Sequence, residues 1–178
     1  MPSKDFSLNI IKARVAETII QELFQSNGYT VFSYGMERTV PGIMQTIKGM
    51  GDEVARAIRS QPDFVVQRIE TGELYYLEVK FRASGAFGIE SLPKNFPYKN
   101  AHFVLVSPRA IKIISYAELA AGENILPCDS RFLGSSQPFE FTPECMERYT
   151  EYARKFFISY AKDDVENAPV AVSEKIGM

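Results

Sequence analysis

Apolar residues recur at helical spacing over residues 6–26, where Leu8, Ile11, Val15, Ala16, Ile19, Ile20, Leu23 and Phe24 form one broad face and Arg14, Thr18, Gln21 and Glu22 turn away from it. Gly28 follows the last turn and suits a helix C-cap. On a helical wheel Glu17 falls at the border of the apolar face, beside Ile10 and Phe24, and read alone it is a solvated flank residue. Residues 29–34 are β-branched and aromatic, which predicts a short strand. Residues 35–60 are broken by Pro41-Gly42, Gly49 and Gly51, with a short helix expected over 52–59. Arg38, Lys48, Arg56 and Arg59 make this stretch basic, as a ligand-contacting loop or simply as a long connection.

The period changes to two over residues 63–81. Phe64, Val66, Tyr75, Leu77, Val79 and Phe81 share one face, and Asp63, Glu78 and Lys80 emerge together on the other. Glu70-Thr71-Gly72-Glu73 reads as the hairpin turn, Gly72 being free to take a positive φ. A two-residue loop at Thr71-Gly72 would set Asp63 opposite Lys80 and Val65 opposite Glu78. A slip by one residue would scatter both sets, so the apolar face helps hold the polar cluster in place.

Residues 83–100 are rich in Gly and Pro and mix Lys94 and Lys99 with Phe87, Phe96 and Tyr98. That mixture suits either a nucleic-acid groove or a surface loop pinned by aromatics. Strands follow at 101–106 and 110–114, with a short helix at 116–121. Thr142-Pro143 opens a second long helix, Thr as N-cap and Pro at the first position. Cys145, Tyr149, Tyr152, Phe156 and Tyr160 recur along it as a core stripe, and residues 163–178 read as a frayed tail. The pattern describes one domain over residues 1–162 with a flexible C-terminal tail.

Composition narrows the classes. Hydrophobic content of 46% with 24% charge fits a soluble globule. No apolar run approaches the roughly 20 residues that span a bilayer, and the N-terminus carries no signal-peptide pattern, so a cytoplasmic protein with no membrane partner is expected. Cys128 and Cys145 are too few for a disulfide framework or zinc site, and His102, the only histidine, reads as structural. The net charge of −2 argues weakly against nucleic acid, but it is unevenly spread. Residues 1–112 carry 14 Lys/Arg against 11 Asp/Glu, and residues 113–178 carry 6 against 11.

Two carboxylates on neighbouring strands can hold a hard divalent cation, which takes one or two carboxylates and fills its remaining positions with water and phosphate oxygens. A lysine beside them can orient or deprotonate water and offset charge building on a phosphate, and Glu17 could add an oxygen for a second metal. Pro62-Asp63, Glu78-Val79-Lys80 and an upstream helix carrying Glu17 together resemble the PD-(D/E)XK nuclease superfamily, with its restriction-endonuclease-like fold. The resemblance covers residues 6–106. It implies an α/β fold with a central mixed β-sheet flanked by helices, of αβββαβ type. It also implies a Mg²⁺-dependent endonuclease acting on DNA, with Mn²⁺ able to substitute. Asp63 and Glu78 would be metal ligands, Lys80 the catalytic lysine, Glu17 an assisting carboxylate and the Val79 carbonyl a further ligand. The chain departs from the family pattern where a clear helix should separate the Glu-x-Lys strand from the next: residues 83–100 hold at most a short helix around 89–92. Many enzymes of this kind act as dimers because two strands must be cut, which leaves a homodimer open. A non-catalytic nucleic-acid-binding or protein-interaction module on the same fold is the alternative expectation.

Overall fold

The computed structural model describes residues 4–36, 40 and 42–158. Helix α1 (Lys4–Gln25) leads into strand β1 (Tyr29–Ser33). Two short helices follow, α2 (Ile43–Thr46) and α3 (Glu53–Arg59), and then the hairpin strands β2 (Phe64–Arg68) and β3 (Leu74–Phe81). After β4 (Ala101–Val106) and β5 (Ile111–Ser115) come α4 (Tyr116–Ala120) and the long helix α5 (Pro143–Phe157). The five strands form one mixed sheet in the order β1-β2-β3-β4-β5, antiparallel except for the β3–β4 pair. The protein is therefore α/β, a mixed sheet flanked by helices. That is the expected architecture, and it is consistent with a restriction-endonuclease-like core without being diagnostic of one.

The helix boundaries have local causes. Asp52 caps α3 by accepting from the Ala55 N–H at 2.9 Å, and Thr142 caps α5 with Pro143 following it. Gly28 leaves α1 with φ +79°, and its carbonyl accepts from the Ile69 N–H at 3.0 Å. In the 35–60 stretch, the Arg59 guanidinium donates to the Ile47 and Met50 carbonyls, tying the connection to α3. Arg38 lies outside the described residues.

Each sheet face carries its own core. On one, α1 and α5 cover Phe64, Val66, Leu77, Val79, Val104 and Val106. On the other, Phe87, Phe96, Leu119 and Ile125 cover Phe103, Leu105 and Ile114. Strand β4 is apolar except at His102 because both its faces are largely buried. Phe87 and Phe96 are thus core residues, which removes them from a nucleic-acid groove. Between β3 and β4 the chain forms only the single-turn 3₁₀ segment Ile89–Ser91, so the departure noted from sequence is real. Along α5 the buried stripe is Cys145, Tyr149, Ala153 and Phe157, whereas Tyr152 and Phe156 are exposed. The expected stripe followed the aromatics, but burial follows the i, i+4 spacing from Cys145. Tyr160 and the 163–178 segment lie outside the described residues.

The hairpin differs from expectation in register and keeps its faces. Phe64 pairs with Leu77 and Gln67 with Leu74, so the loop is the four residues 69–72 rather than Thr71-Gly72. The Arg68 N–H pairs with the Glu73 carbonyl on the β3 side, the Ile69 N–H with the Gly28 carbonyl on the β1 side as alternation directs, and Ile69 is 66% exposed where the loop begins. The shift is two residues, so no side chain changes face. Its consequence is that continuing the pairing sets Asp63 opposite Glu78, and not opposite Lys80.

Candidate active site

Strand β2 begins at Phe64, while β3 runs on to Phe81. Residues 78–81 therefore have β4 on one edge and no strand on the other. The Val79 N–H, which a longer β2 would have taken into the ladder, instead donates to Asp63 Oδ2 at 2.7 Å. This bond fixes the Asp63 carboxylate against the free edge of β3. The N–H and C=O of one strand residue leave from the same edge, which sets the Val79 carbonyl on that side too. Lys80 stands two residues beyond Glu78 on the same strand face, and its Nζ donates to Glu78 Oε1 in a close ion pair.

The missing strand leaves a cleft of about 870 Å³. Asp63, Glu78 and Lys80 line it from the sheet, Lys12 and Glu17 from α1, and Arg59, Arg82 and Ser84 from its rim. Every residue named from the sequence as catalytic or metal-binding borders this one space. Glu17, on the border of α1's apolar face, is near enough to act electrostatically on Asp63. Lys12, Arg59 and Arg82 were not named for the site. Arg82 continues the 78–80 parity and could have been found that way. Lys12 and Arg59 reach the cleft only through the packing of helices α1 and α3.

The electrostatics are those of a charged group of residues kept from water. The Asp63 carboxyl is pushed well above the usual carboxylate range, first by burial and then by the negative charges of Glu78 and Glu17, against the opposing pull of Lys80 and the Val79 N–H. Burial alone would lower the Lys80 ammonium, but Glu78 and Asp63 outweigh it and its pKa is raised. Lys80 is therefore protonated at neutral pH. Glu78 Oε2 is buried with no hydrogen-bond partner, a costly state for a carboxylate oxygen and one that a cation or a donor from a ligand would relieve.

Among the described residues, no group of three or more His, Cys, Asp or Glu side chains is arranged to hold a metal ion. Glu17 thus adds charge to the cleft without closing a three-carboxylate cage. Asp63 and Glu78 offer two carboxylates, within the one or two that Mg²⁺ takes from a protein before water and phosphate complete its shell. His102 lies away from the cleft with its ring edge-on to Tyr75 and Phe139, and burial lowers its pKa. Cys128 is exposed and Cys145 is buried, both as free thiols. No helix among the described residues is long and apolar enough to cross a membrane. Searches against protein-family models and against curated proteins returned no match to this chain.

Proposed function

We propose that the protein is a metal-dependent nuclease that hydrolyses phosphodiester bonds in DNA, with the cleft at the free edge of β3 as its active site. The observation that carries this reading is the convergence of Asp63, Glu78 and Lys80 in one partly buried cleft, with Glu78 Oε2 left unpartnered. A Mg²⁺ or Mn²⁺ ion held by Asp63 and Glu78, with the Val79 carbonyl beside them, would supply Lewis-acid stabilisation of the charge that builds on a phosphodiester during hydrolysis.

The chain's own residues supply the rest. The Val79 N–H orients the Asp63 carboxylate, and the fixed β3 backbone spaces Glu78 from Lys80. Lys80, protonated at neutral pH, acts as a positive charge against a phosphate oxygen. Lys12, Arg59 and Arg82 border the same cleft, where they would engage flanking phosphates and set a salt-dependent affinity. Glu17 adds to the negative potential at Asp63, which favours a cation there.

Purified protein incubated with supercoiled plasmid and single-stranded DNA tests this reading. Cleavage is expected in Mg²⁺ or Mn²⁺ and none in chelator. Wild type and Asp63→Ala equally inert on every substrate would overturn it and favour a binding module on the same fold.

A further inference from the structure

Three tyrosines from separate parts of the chain meet in one cluster. Tyr34 follows β1, Tyr76 lies on β3, and Tyr98 closes the 82–100 crossover. Ring centroids are 5.4 Å apart for Tyr34–Tyr76, 5.1 Å for Tyr76–Tyr98 and 6.2 Å for Tyr34–Tyr98. The group rests on a rigid base, since the buried Phe96 ring packs 5.9 Å from Tyr98. Tyr34 is the outermost and is 37% exposed.

Two connections tie this cluster to the catalytic residues. Tyr76 precedes Glu78 by two residues on β3, so both side chains leave the same sheet face about 7 Å apart along the strand. The Tyr34 N–H donates to the Asp63 carbonyl at 3.0 Å, and the next residue, Gly35, lines the cleft. The hydroxyls also interact: the Tyr34 pKa is raised, chiefly through its hydrogen bond with Tyr98. Lys99 stands exposed beside Tyr98.

The geometry points to a base-stacking platform: Tyr34, backed by Tyr76 and Tyr98, receives an unpaired base next to the phosphate held in the cleft, and the substrate is single-stranded or locally unpaired DNA. This rests on the nuclease reading for the phosphate and adds the substrate class. A base within an intact duplex offers no free face to a tyrosine ring, whereas an unpaired base does, whatever its identity. Lys99 supplies a positive charge for the backbone on the outer side of the rings.

The test uses full-length protein in chelator, where no hydrolysis occurs. Fluorescence anisotropy measures binding to a labelled 20-nucleotide oligo(dT) and to a blunt duplex of equal length. A second oligo(dT) carrying one 2-aminopurine reports stacking by quenching. Wild type is expected to bind the single strand more tightly than the duplex and to quench 2-aminopurine. Tyr34→Ala should weaken single-strand binding about 5- to 150-fold, the range a lost base–aromatic stack gives. Duplex binding should stay within about twofold, and Tyr34→Phe should behave as wild type. Equal single-strand affinity for wild type and Tyr34→Ala overturns the platform. So does absence of quenching by wild type, a readout that needs no variant to fold. Quenching without cleavage in Mg²⁺ or Mn²⁺ keeps the platform and removes the hydrolytic reading; cleavage without quenching does the reverse.

Discussion

Replacing Asp63 with Asn should abolish metal-dependent cleavage and at the same time stabilise the metal-free protein. The Asn side-chain oxygen can still accept the Val79 N–H that Asp63 Oδ2 accepts at 2.7 Å, so no hydrogen bond need be lost. What disappears is a charge that burial, Glu78 and Glu17 disfavour more than Lys80 and the Val79 N–H favour it. A carboxyl whose folded-state pKa lies above its unfolded value adds stability at low pH and loses it as pH rises through the folded pKa. Relieving a buried carboxylate crowded by like charges is expected to have the size of an ordinary single-substitution effect, on the order of 1 kcal/mol. In a chain of this size 1 kcal/mol moves Tm by about 2–4 °C. Asp63→Asn is therefore expected to raise Tm at pH 8 in chelator by ~3 °C or more. The gain should shrink as pH falls through the folded Asp63 pKa and vanish below about pH 3, where the wild-type carboxyl is protonated in both states. Differential scanning calorimetry across that range reads the effect. A lower Tm at pH 8, or a gain that grows on acidification, would show that the site is not under electrostatic strain.

Further outcomes follow from the same geometry. Mg²⁺ or Mn²⁺ at about 100 times its Kd should stabilise wild type by about 2.7 kcal/mol, a thermal shift of roughly 5–10 °C that Asp63→Asn should lack. At sub-saturating Mg²⁺, the acid limb of the kcat/KM profile should lie above the ordinary carboxylate range, because Asp63 must shed its proton to act and its pKa is raised. Lys112 is buried away from the cleft, its Nζ donating to the Leu126, Pro127 and Asp129 carbonyls and to Asp129 Oδ1. Lys112→Met strands those acceptors and should cost about 3–5 kcal/mol in denaturant melts while leaving kcat near wild type. Leu77→Ala, at a fully buried position under α1, should cost about 2–5 kcal/mol in the same melts.

Much of this site is legible in the chain because period two assigns side chains to faces whatever the loop length. Asp63, Glu78 and Lys80 share a face under either register, and only a one-residue slip would have parted them. The loop itself was not legible. It is closed by the Arg68 N–H on the Glu73 carbonyl and the Gly72 N–H on the Arg68 carbonyl, a choice between registers two residues apart that side-chain period leaves open. The resulting pairing of Asp63 with Glu78 was hidden for the same reason. Irregular segments carry no period at all, so nothing in residues 83–100 distinguished Phe87 and Phe96, which are core, from Tyr98, which is only partly buried against that core. On α5 the aromatics drew the expected stripe toward Tyr152 and Phe156, but the helix buries Ala153 and Phe157 instead. A small residue in the stripe is easily overlooked beside large ones. The tyrosine cluster draws on three segments, and only tertiary packing brings them together.

Lys80 is the side chain that separates a hydrolytic site from a metal-binding one. Wild type and Lys80→Ala, purified in parallel, should be followed on the same single-stranded and plasmid DNA in Mn²⁺, with the metal-induced thermal shift recorded for each. The expected result is that Lys80→Ala keeps the shift and loses cleavage by at least a hundredfold, as loss of a charge placed for the transition state would give. Equal cleavage by both proteins would place the chemistry elsewhere in the chain or in a contaminant, and would contradict the site described here.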